Sequence, residues 1–153
     1  MEITIEIEGL EKLKQGLASA PAETIKETQN AIAKSVVLVT KQAMRNAPVN
    51  KQGGGGNLRQ SIRYTTDFLR GVISVTARYA YWVHEGTNPH DITVVKKRVL
   101  ANARTGQFFG KKVHHPGTQP NPFLKEAIED VKPAIESIFS QSIQNVLSKI
   151  ARQ

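Results

Sequence analysis

The stretch that decides the fold is Ile62-Arg-Tyr-Thr-Thr-Asp-Phe-Leu-Arg-Gly-Val-Ile-Ser-Val-Thr-Ala77. Two runs rich in β-branched residues, 62–68 and 71–77, flank Leu69-Arg70, and this spacing predicts two strands joined by a tight turn. In the second run every other residue from Ile73 to Ala77 is apolar, so one face of that strand is apolar throughout. The sequence therefore predicts a small antiparallel sheet with one face packed on helices.

Further elements are predicted on both sides of this hairpin. Isoleucine alternates with Glu and Thr over residues 2–7, which predicts another strand, and leucines spaced three and four apart over 10–17 predict a short helix. Apolar residues then recur with helical spacing from Pro21 to Ala47-Pro48, where the proline ends the helix. Pro122 opens a last helix with an apolar stripe, and Pro133 within it is expected to kink or split that helix.

This order of elements predicts the α+β class in a single domain over residues 1–153. The sheet is expected to pack against a long N-terminal helix and a C-terminal helix, with extended loops between elements. Residues 49–56, with four consecutive glycines, are expected to be a flexible loop, after which Asn57 is expected to cap a helical turn. Residues 90–119 are expected to form a basic hairpin or long arm, with strands near 91–95 and 108–113.

Charge is segregated along the chain. The net charge is +8, but fifteen Lys or Arg face only three acids between Thr28 and Lys125, while ten of the thirteen acids lie in the flanks. One interpretation is a basic face that neutralises phosphates, and the other is a dispersed, solubilising surface. No cysteine is present, so nothing in the sequence requires an oxidising compartment. The N-terminus lacks the features of a signal peptide and no stretch is apolar enough to span a bilayer, so we expect no membrane association.

The residues offer little support for catalysis. No nucleophile elbow or phosphate-binding glycine loop occurs, and His84-Glu85 lacks the second histidine of a zinc protease pair. We therefore expect no enzyme, no metal and no cofactor. The alternatives are a metal-dependent nuclease, which the scarcity of acids in the basic block disfavours, and a basic nucleic-acid-binding protein without a recognised motif.

Tyr79-Ala-Tyr-Trp-Val83 concentrates three of the nine aromatic residues in five positions. The favoured interpretation is that these rings anchor the core between sheet and helix, and the alternative is that an interface buries them. The turn residues that follow, Glu85, Gly86 and Thr87, are expected to be structural. Gly86 would supply a positive φ, and Thr87 would bond locally to the backbone.

Five short signals occur in a particular order: Gly9-Leu10 with Leu13, Ala47-Pro48, Gly56-Asn-Leu-Arg-Gln-Ser-Ile62, Tyr79-Ala-Tyr-Trp-Val-His-Glu-Gly-Thr87, and Pro120-Asn-Pro-Phe-Leu-Lys-Glu-Ala127. In this order they resemble the bacteriophage tail-completion, or head–tail joining (neck), protein family typified by gene product ten of the phage HK ninety-seven. The resemblance spans almost the whole chain. The four-glycine loop and the long basic arm depart from the family pattern, so contacts of those loops do not carry over.

The resemblance implies a structural virion protein of a long-tailed phage or prophage, a homo-oligomeric tail-completion component that forms a ring at the head–tail junction during virion assembly. Such rings commonly have six subunits and let DNA pass through the lumen, where contact would be non-specific. Implied partners are other neck and tail proteins, namely the tail terminator and the head-closure protein. The implied location is the virion, and the host cytoplasm during assembly.

Two sets of residues are expected to serve these contacts. The expected assembly residues are Gly56, Asn57, Leu58, Arg59, Tyr81, Trp82, Glu85, Gly86, Thr87, Pro122 and Phe123. The expected DNA-facing residues are Lys96, Lys97, Arg98, Arg104, Lys111 and Lys112. An acidic N-terminal segment that meets the basic block of the next subunit would give the heterologous contact that ring closure requires.

Overall fold

The structure is a computed structural model that describes residues 2–3, 22–49, 56–95, 99–102 and 105–150. Its helices are α1 (Ala22–Asn46), α2 (Asn57–Ser61), α3 (Ala80–Glu85) and α4 (Phe123–Ile150). Its strands are β1 (Glu2–Ile3), β2 (Ile62–Asp67), β3 (Arg70–Val75), β4 (His90–Thr93), β5 (Leu100–Ala101), β6 (Phe108–Gly110) and β7 (Lys112–His115). These elements confirm the predicted α+β class. The predictions for residues 4–7, 10–17 and 50–55 lie outside the described residues.

The chain divides into two compact units. One consists of residues 1–80 and 123–153, and it contains the helices α1, α2 and α4 with the strands β1, β2 and β3. The other consists of residues 81–122 and contains the strands β4 to β7.

Helix α1 confirms the predicted long N-terminal helix. Its buried residues recur with helical spacing and so lie on one stripe: Ala31, Ile32, Ser35, Val39, Thr40 and Ala43. The two polar members, Ser35 and Thr40, donate hydroxyl hydrogen bonds of 2.8 and 2.7 Å to carbonyls one turn earlier, so their burial leaves no hydroxyl unsatisfied. The helix ends at Asn46, because the residue before Pro48 is excluded from the helical region.

The sheet of the first unit has the order β1-β3-β2, with both pairings antiparallel. The β2–β3 register runs from Ile62 opposite Val75 to Asp67 opposite Arg70. The connecting turn is therefore Phe68-Leu69, and the predicted position at Leu69-Arg70 is wrong by one residue. Arg70 is excluded from the turn because it is the strand partner of Asp67.

Helix α1 approaches the sheet most closely at Gly71. A Cβ at this position would lie 2.0 Å from Cγ2 of Val36, so no side chain fits between strand and helix there. Beside this contact Ile32 and Leu69 form a buried cluster, against which Ile25, Val36 and Phe139 pack. Ile73 and Val75 of β3 are also buried, which confirms the apolar face predicted for that strand.

Helix α4 packs along α1, and its buried residues Leu124, Ala127 and Val131 recur with helical spacing. The helix runs without interruption through Pro133, so of the two predicted alternatives, a kink or a split, the split is wrong. Pro133 is exposed, and the carbonyl left without an amide partner belongs to the exposed residue Glu129, where water can hydrate it. Among the described residues, none of the helices combines the length and apolar character needed to cross a membrane.

Two side chains in the last turns of α1 also bond to α4. Nδ2 of Asn46 and Nε2 of Gln42 donate to Oδ2 of Asp130 at 2.9 and 3.0 Å. These hydrogen bonds, first that from Asn46 and then that from Gln42, lower the pKa of Asp130 because they favour its ionised form.

The second unit is an extended hairpin. β4 pairs with β7, from His90 opposite His115 to Thr93 opposite Lys112, and β5 pairs with β6 further toward the tip. Of the two alternatives predicted for residues 90–119, the basic hairpin is the one observed. No described residue between 81 and 122 is buried, so this unit contains no apolar core of its own.

Candidate functional site

The root of the hairpin is closed by Thr87 and Thr118. Their backbone amides donate to each other's carbonyls at 3.0 Å in both directions. Gly86 (φ +75°) and Gly117 (φ +89°) flank this pair, and a Cβ on them would lie 2.5 Å from the Thr118 oxygen and 2.3 Å from the Thr87 oxygen. The root therefore requires two glycines, both for backbone conformation and for space.

The expectation for Gly86 is confirmed, and the role of Gly117 was missed, although Pro116-Gly117 is a recognisable turn signal. The expectation for the Thr87 side chain is wrong. Its hydroxyl oxygen is buried without a hydrogen-bond partner among the described residues, and it is the Thr87 backbone that makes the bonds.

One face of the hairpin carries a charged cluster. Oδ2 of Asp91 lies 2.7 Å from Nζ of Lys112, and Oδ1 of Asp91 lies 2.9 Å from Nδ1 of His114. The hydrogen bond from Lys112, and after it the bond from His114, lowers the pKa of Asp91. This cross-strand cluster fixes the register of β4 against β7 in a unit that lacks a core.

The opposite face carries two stacked imidazole rings. The ring centroids of His90 and His115 lie 5.0 Å apart, with 28° between the ring planes. Nδ1 of His90 donates to the Asn88 carbonyl at 2.9 Å, while Nδ1 of His115 accepts a 3.1 Å bond from the Gly117 amide. The described residues contain no group of three or more His, Asp or Glu side chains that could hold a metal ion.

The tip of the hairpin exposes aromatic rings beside cations. Phe108 is 73 % exposed and Phe109 is 43 % exposed, and both lie on β6. Of the expected DNA-facing residues, Lys111 and Lys112 follow directly and are exposed. Lys96, Lys97, Arg98 and Arg104 lie outside the described residues.

The aromatic cluster before the hairpin lies at the surface. Tyr79, Tyr81 and Trp82 are 45, 53 and 53 % exposed, whereas Ala80 between them is fully buried. The interpretation that these rings anchor the core is therefore wrong. The small Ala80 packs inward, and a short helix that starts there leaves Tyr81 and Trp82 half exposed.

Arg59 of helix α2 connects this helix to the end of α1 through hydrogen bonds. Its Nε donates to the Ala47 carbonyl at 3.3 Å, and its Nη2 donates to the Arg45 carbonyl at 3.2 Å. The guanidinium therefore satisfies backbone oxygens at the C-terminal end of α1, where a cation also complements the helix dipole. Sequence reasoning missed this contact, because it joins residues 12 and 14 positions apart.

The remaining expected assembly residues divide between core and surface. Helix α2 begins after Gly56 (φ +112°) without a side-chain cap, so the expectation that Asn57 caps it is wrong. Leu58 is 3 % exposed and Phe123 is 0 % exposed, so their role in this chain is core packing. Pro122 is half-buried, while Asn57 and Glu85 are exposed, and their part in assembly stays a prediction.

Comparison with known proteins identifies a relationship over 76 of the 153 residues. Residues 11–86 match the model of a family described as "Bacteriophage HK97-gp10, putative tail-component". The predicted family resemblance is confirmed over this segment. No curated protein and no solved structure matches the chain.

The HK97-gp10-like segment includes α1, α2, the β2–β3 hairpin and α3 with its exposed aromatic rings. It ends at Gly86, immediately before the root of the second hairpin. The match therefore shows that this segment is similar to a family described as bacteriophage tail components. The hairpin and α4, including the Pro120–Ala127 signal, lie outside the matched segment.

Proposed function

We propose that this protein is a non-enzymatic structural component of a long-tailed phage or prophage that completes the tail and forms a ring at the head–tail junction. The observation that carries the proposal is the match of residues 11–86 to a family of phage tail components. Its partners would be further copies of itself, the tail terminator and the head-closure protein. It would assemble in the host cytoplasm and remain in the neck of the virion.

The surface around α3 supports a role in assembly. Tyr79, Tyr81 and Trp82 are each about half exposed within a short segment. Large aromatic rings are enriched in protein interfaces, because they bury much area while their polar atoms still form hydrogen bonds. We propose this aromatic surface, made of these three residues, as a contact in the ring.

The hairpin supports a second contact. Its aromatic tip is exposed, although a two-stranded ribbon without a core is only marginally stable by itself. Burial of Phe108 and Phe109 by a neighbouring subunit or a neck protein would remove apolar surface from water. The basic charge of this segment would favour an acidic partner, such as the N-terminal segment of the next copy.

Passage of DNA through the ring is supported by the charge pattern. The central block, residues 28–125, holds fifteen Lys or Arg against three acids. This positive charge would offset the phosphate charge of DNA without recognising a base sequence. All three of those acids already have local partners: Asp91 contacts Lys112 and His114, Asp67 accepts the Phe68 amide, and Glu85 contacts His84. This arrangement favours a passive cationic surface over a metal-dependent nuclease, which would gather its carboxylates around a cation.

The test combines electron microscopy with complementation of a phage or prophage that lacks the gene. We expect closed rings from the purified chain, alone or with the tail terminator, and detection of the chain in purified virions. Replacing Tyr81 and Trp82 by Ala should abolish rings and infectivity, whereas Leu147→Ala, which removes an equally exposed side chain from α4, should preserve both. Monomers under all conditions, together with infectious virions that lack the chain, would refute the proposal.

A further inference from the structure

Strand β2 forms an open edge of the sheet in the first unit. It is the terminal strand in the order β1-β3-β2, and no strand of the described residues lies on its outer side. Only Ile62 of its six residues is buried, and its register with β3 contains no bulge. Natural edge strands commonly carry a bulge or a proline that prevents pairing, and β2 has neither.

The register shows which backbone groups this edge presents. The Thr76 amide donates to the Ser61 carbonyl at 3.1 Å, so Ser61 and Thr76 form a hydrogen-bonded pair. Hydrogen-bonded pairs recur at every second residue of an antiparallel ladder. Arg63, Thr65 and Asp67 therefore direct their peptide groups toward β3, whereas Tyr64 and Thr66 direct theirs outward.

At both ends of the outer edge, the backbone groups already have hydrogen-bond partners within the chain. The Ile62 amide donates to the Arg59 carbonyl, and the Ile62 carbonyl accepts from Nη1 of Arg63 at 3.1 Å. At the other end, the Phe68 amide donates to Oδ1 of Asp67 at 2.8 Å. Among the described residues, the outward N–H and C=O groups of Tyr64 and Thr66 have no hydrogen-bond partner. They are two donors and two acceptors placed symmetrically about Thr65.

We propose that two copies of this chain join through their β2 strands, antiparallel, with a two-fold axis at Thr65. In this register Tyr64 lies opposite the partner's Thr66, and Thr66 lies opposite the partner's Tyr64. All four outward groups of each copy are then paired, giving four hydrogen bonds across the contact. The two sheets of three strands become one sheet of six.

The same register also pairs opposite charges. Arg63 lies opposite the partner's Asp67, and Asp67 lies opposite the partner's Arg63. These are non-hydrogen-bonded pairs, in which facing side chains approach most closely. Both side chains are exposed on the sheet face away from α1. Among the described residues, only Nη1 of Arg63 has hydrogen-bond partners, so its Nε and Nη2 remain as donors.

Neighbouring registers lack this match. A two-fold axis at Tyr64 would place Arg63 opposite the partner's Thr65, and an axis at Thr66 would place Asp67 opposite the partner's Thr65. Neither of these registers pairs Arg63 with Asp67. The hydrogen-bond pattern and the charge pattern thus select one register independently of each other. The contact saturates with two copies, so it is separate from the heterologous contact that closes a ring and stands whether or not the proposed function holds.

Cysteine crosslinking tests the axis, because the chain has no native cysteine. In Thr65→Cys the two thiols would face each other across a non-hydrogen-bonded pair, with Cα atoms about 4.5 Å apart, within reach of a disulfide. In the matched control Thr66→Cys the two cysteines are diagonal neighbours with Cα atoms about 7–8 Å apart, which is too far for a disulfide. We expect a covalent dimer on oxidation of Thr65→Cys and little from Thr66→Cys. Equal crosslinking of both variants, or none in either, overturns the proposal.

Charge exchange between chains tests the register. Arg63→Asp places Asp opposite Asp, and Asp67→Arg places Arg opposite Arg, so each variant alone should dimerise roughly tenfold more weakly than the native chain. An equimolar mixture of the two variants restores both opposite-charge pairs in a heterodimer. Sedimentation should show dimers in the mixture at concentrations where each variant alone is monomeric. A mixture that associates no better than its components contradicts the proposed register, and circular dichroism of each variant confirms that it is folded.

Discussion

The helix–sheet unit and the hairpin unit are held together by different forces. All buried side chains of the described residues belong to the helix–sheet unit, including those of Phe123, Ile62 and Ala43, and none belongs to residues 81–122. The hairpin instead relies on two positive-φ glycines, one reciprocal backbone pair and the Asp91 cluster. Apolar burial makes unfolding cooperative, so the first unit should unfold as a whole while the hairpin opens locally.

Replacing a phenylalanine by alanine in each of the two units should give the largest difference in the free energy of unfolding. Phe123→Ala removes a ring that is 0 % exposed and should reduce the free energy of unfolding by about 3–5 kcal/mol, through lost burial and a cavity. Phe108→Ala removes a ring that is 73 % exposed and should change the free energy of unfolding by less than about 0.5 kcal/mol. Urea unfolding followed by circular dichroism measures both. Similar losses in the two variants would mean that the hairpin shares the core of the helix–sheet unit.

Overpacking at Gly71 tests how rigidly α1 is set against the sheet. Gly71→Ala places a methyl group 2.0 Å from Cγ2 of Val36, and should reduce the free energy of unfolding by about 1–3 kcal/mol. Val36 is β-branched and cannot easily rotate away. Val36→Ala removes the clashing atom, so the double variant should lose less than the sum of the two single losses. Additive losses would show that the strand moves away from the helix to accept the methyl group.

Two glycines of the hairpin separate backbone strain from steric contact. Gly117 and Gly110 both have positive φ. A Cβ at Gly117 would lie 2.3 Å from the Thr87 oxygen, whereas a Cβ at Gly110 would meet no atom of the described residues within 4 Å. Gly117→Ala should lower the free energy of opening the Thr87–Thr118 pair by about 1–3 kcal/mol, and more than Gly110→Ala does. Hydrogen exchange of the Thr87 and Thr118 amides measures the opening. Amides of α1 should exchange as in the native chain, and if they exchange faster, the opening is not local.

Elements that depend on neighbouring residues were predicted correctly from the sequence. Helix α1 follows from its apolar period and from Pro48, and the β2–β3 hairpin follows from alternation around a short turn. The turn was displaced by one residue, because alternation alone does not show that Arg70 pairs with Asp67. Gly86 was assigned its positive φ correctly, since turn residues act through their own backbone.

Features that depend on distant residues were not predicted. Tyr81 and Trp82 are half exposed although Ala80 beside them is buried, and the general tendency of aromatic rings to be buried predicted the opposite. The bonds from Arg59 to the end of α1 join residues 12 and 14 positions apart, and no local pattern marks them. The unbroken course of α4 through Pro133 depends on which face of the helix is exposed, which follows only from its packing.

The carboxylates of Asp130 and Asp91, one in each unit, should give the smallest effects, and these effects should differ in their dependence on pH. Hydrogen bonds from Asn46 and Gln42 lower the pKa of Asp130, and bonds from Lys112 and His114 lower the pKa of Asp91. A pKa that is lower in the folded than in the unfolded state gives stability that is present above the unfolded value and lost as the pH falls through the folded value. Asp130→Ala should therefore lower the urea midpoint slightly at about pH 7. This difference should begin to shrink as the pH falls below about 4, the ordinary pKa of an aspartate, and should vanish only below the lowered pKa of the folded state.

Asp91→Ala should leave the urea midpoint unchanged at every pH, because Asp91 joins two strands that have no buried core beneath them. Its effect should appear instead as faster hydrogen exchange in β4 and β7 at neutral pH. Glu129→Ala, at an exposed position next to Asp130, is the matched control and should change neither measurement. If Asp91→Ala lowered the midpoint as much as Asp130→Ala, polar contacts in the hairpin would contribute to cooperative unfolding, and the distinction between the two units would concern burial but not stability.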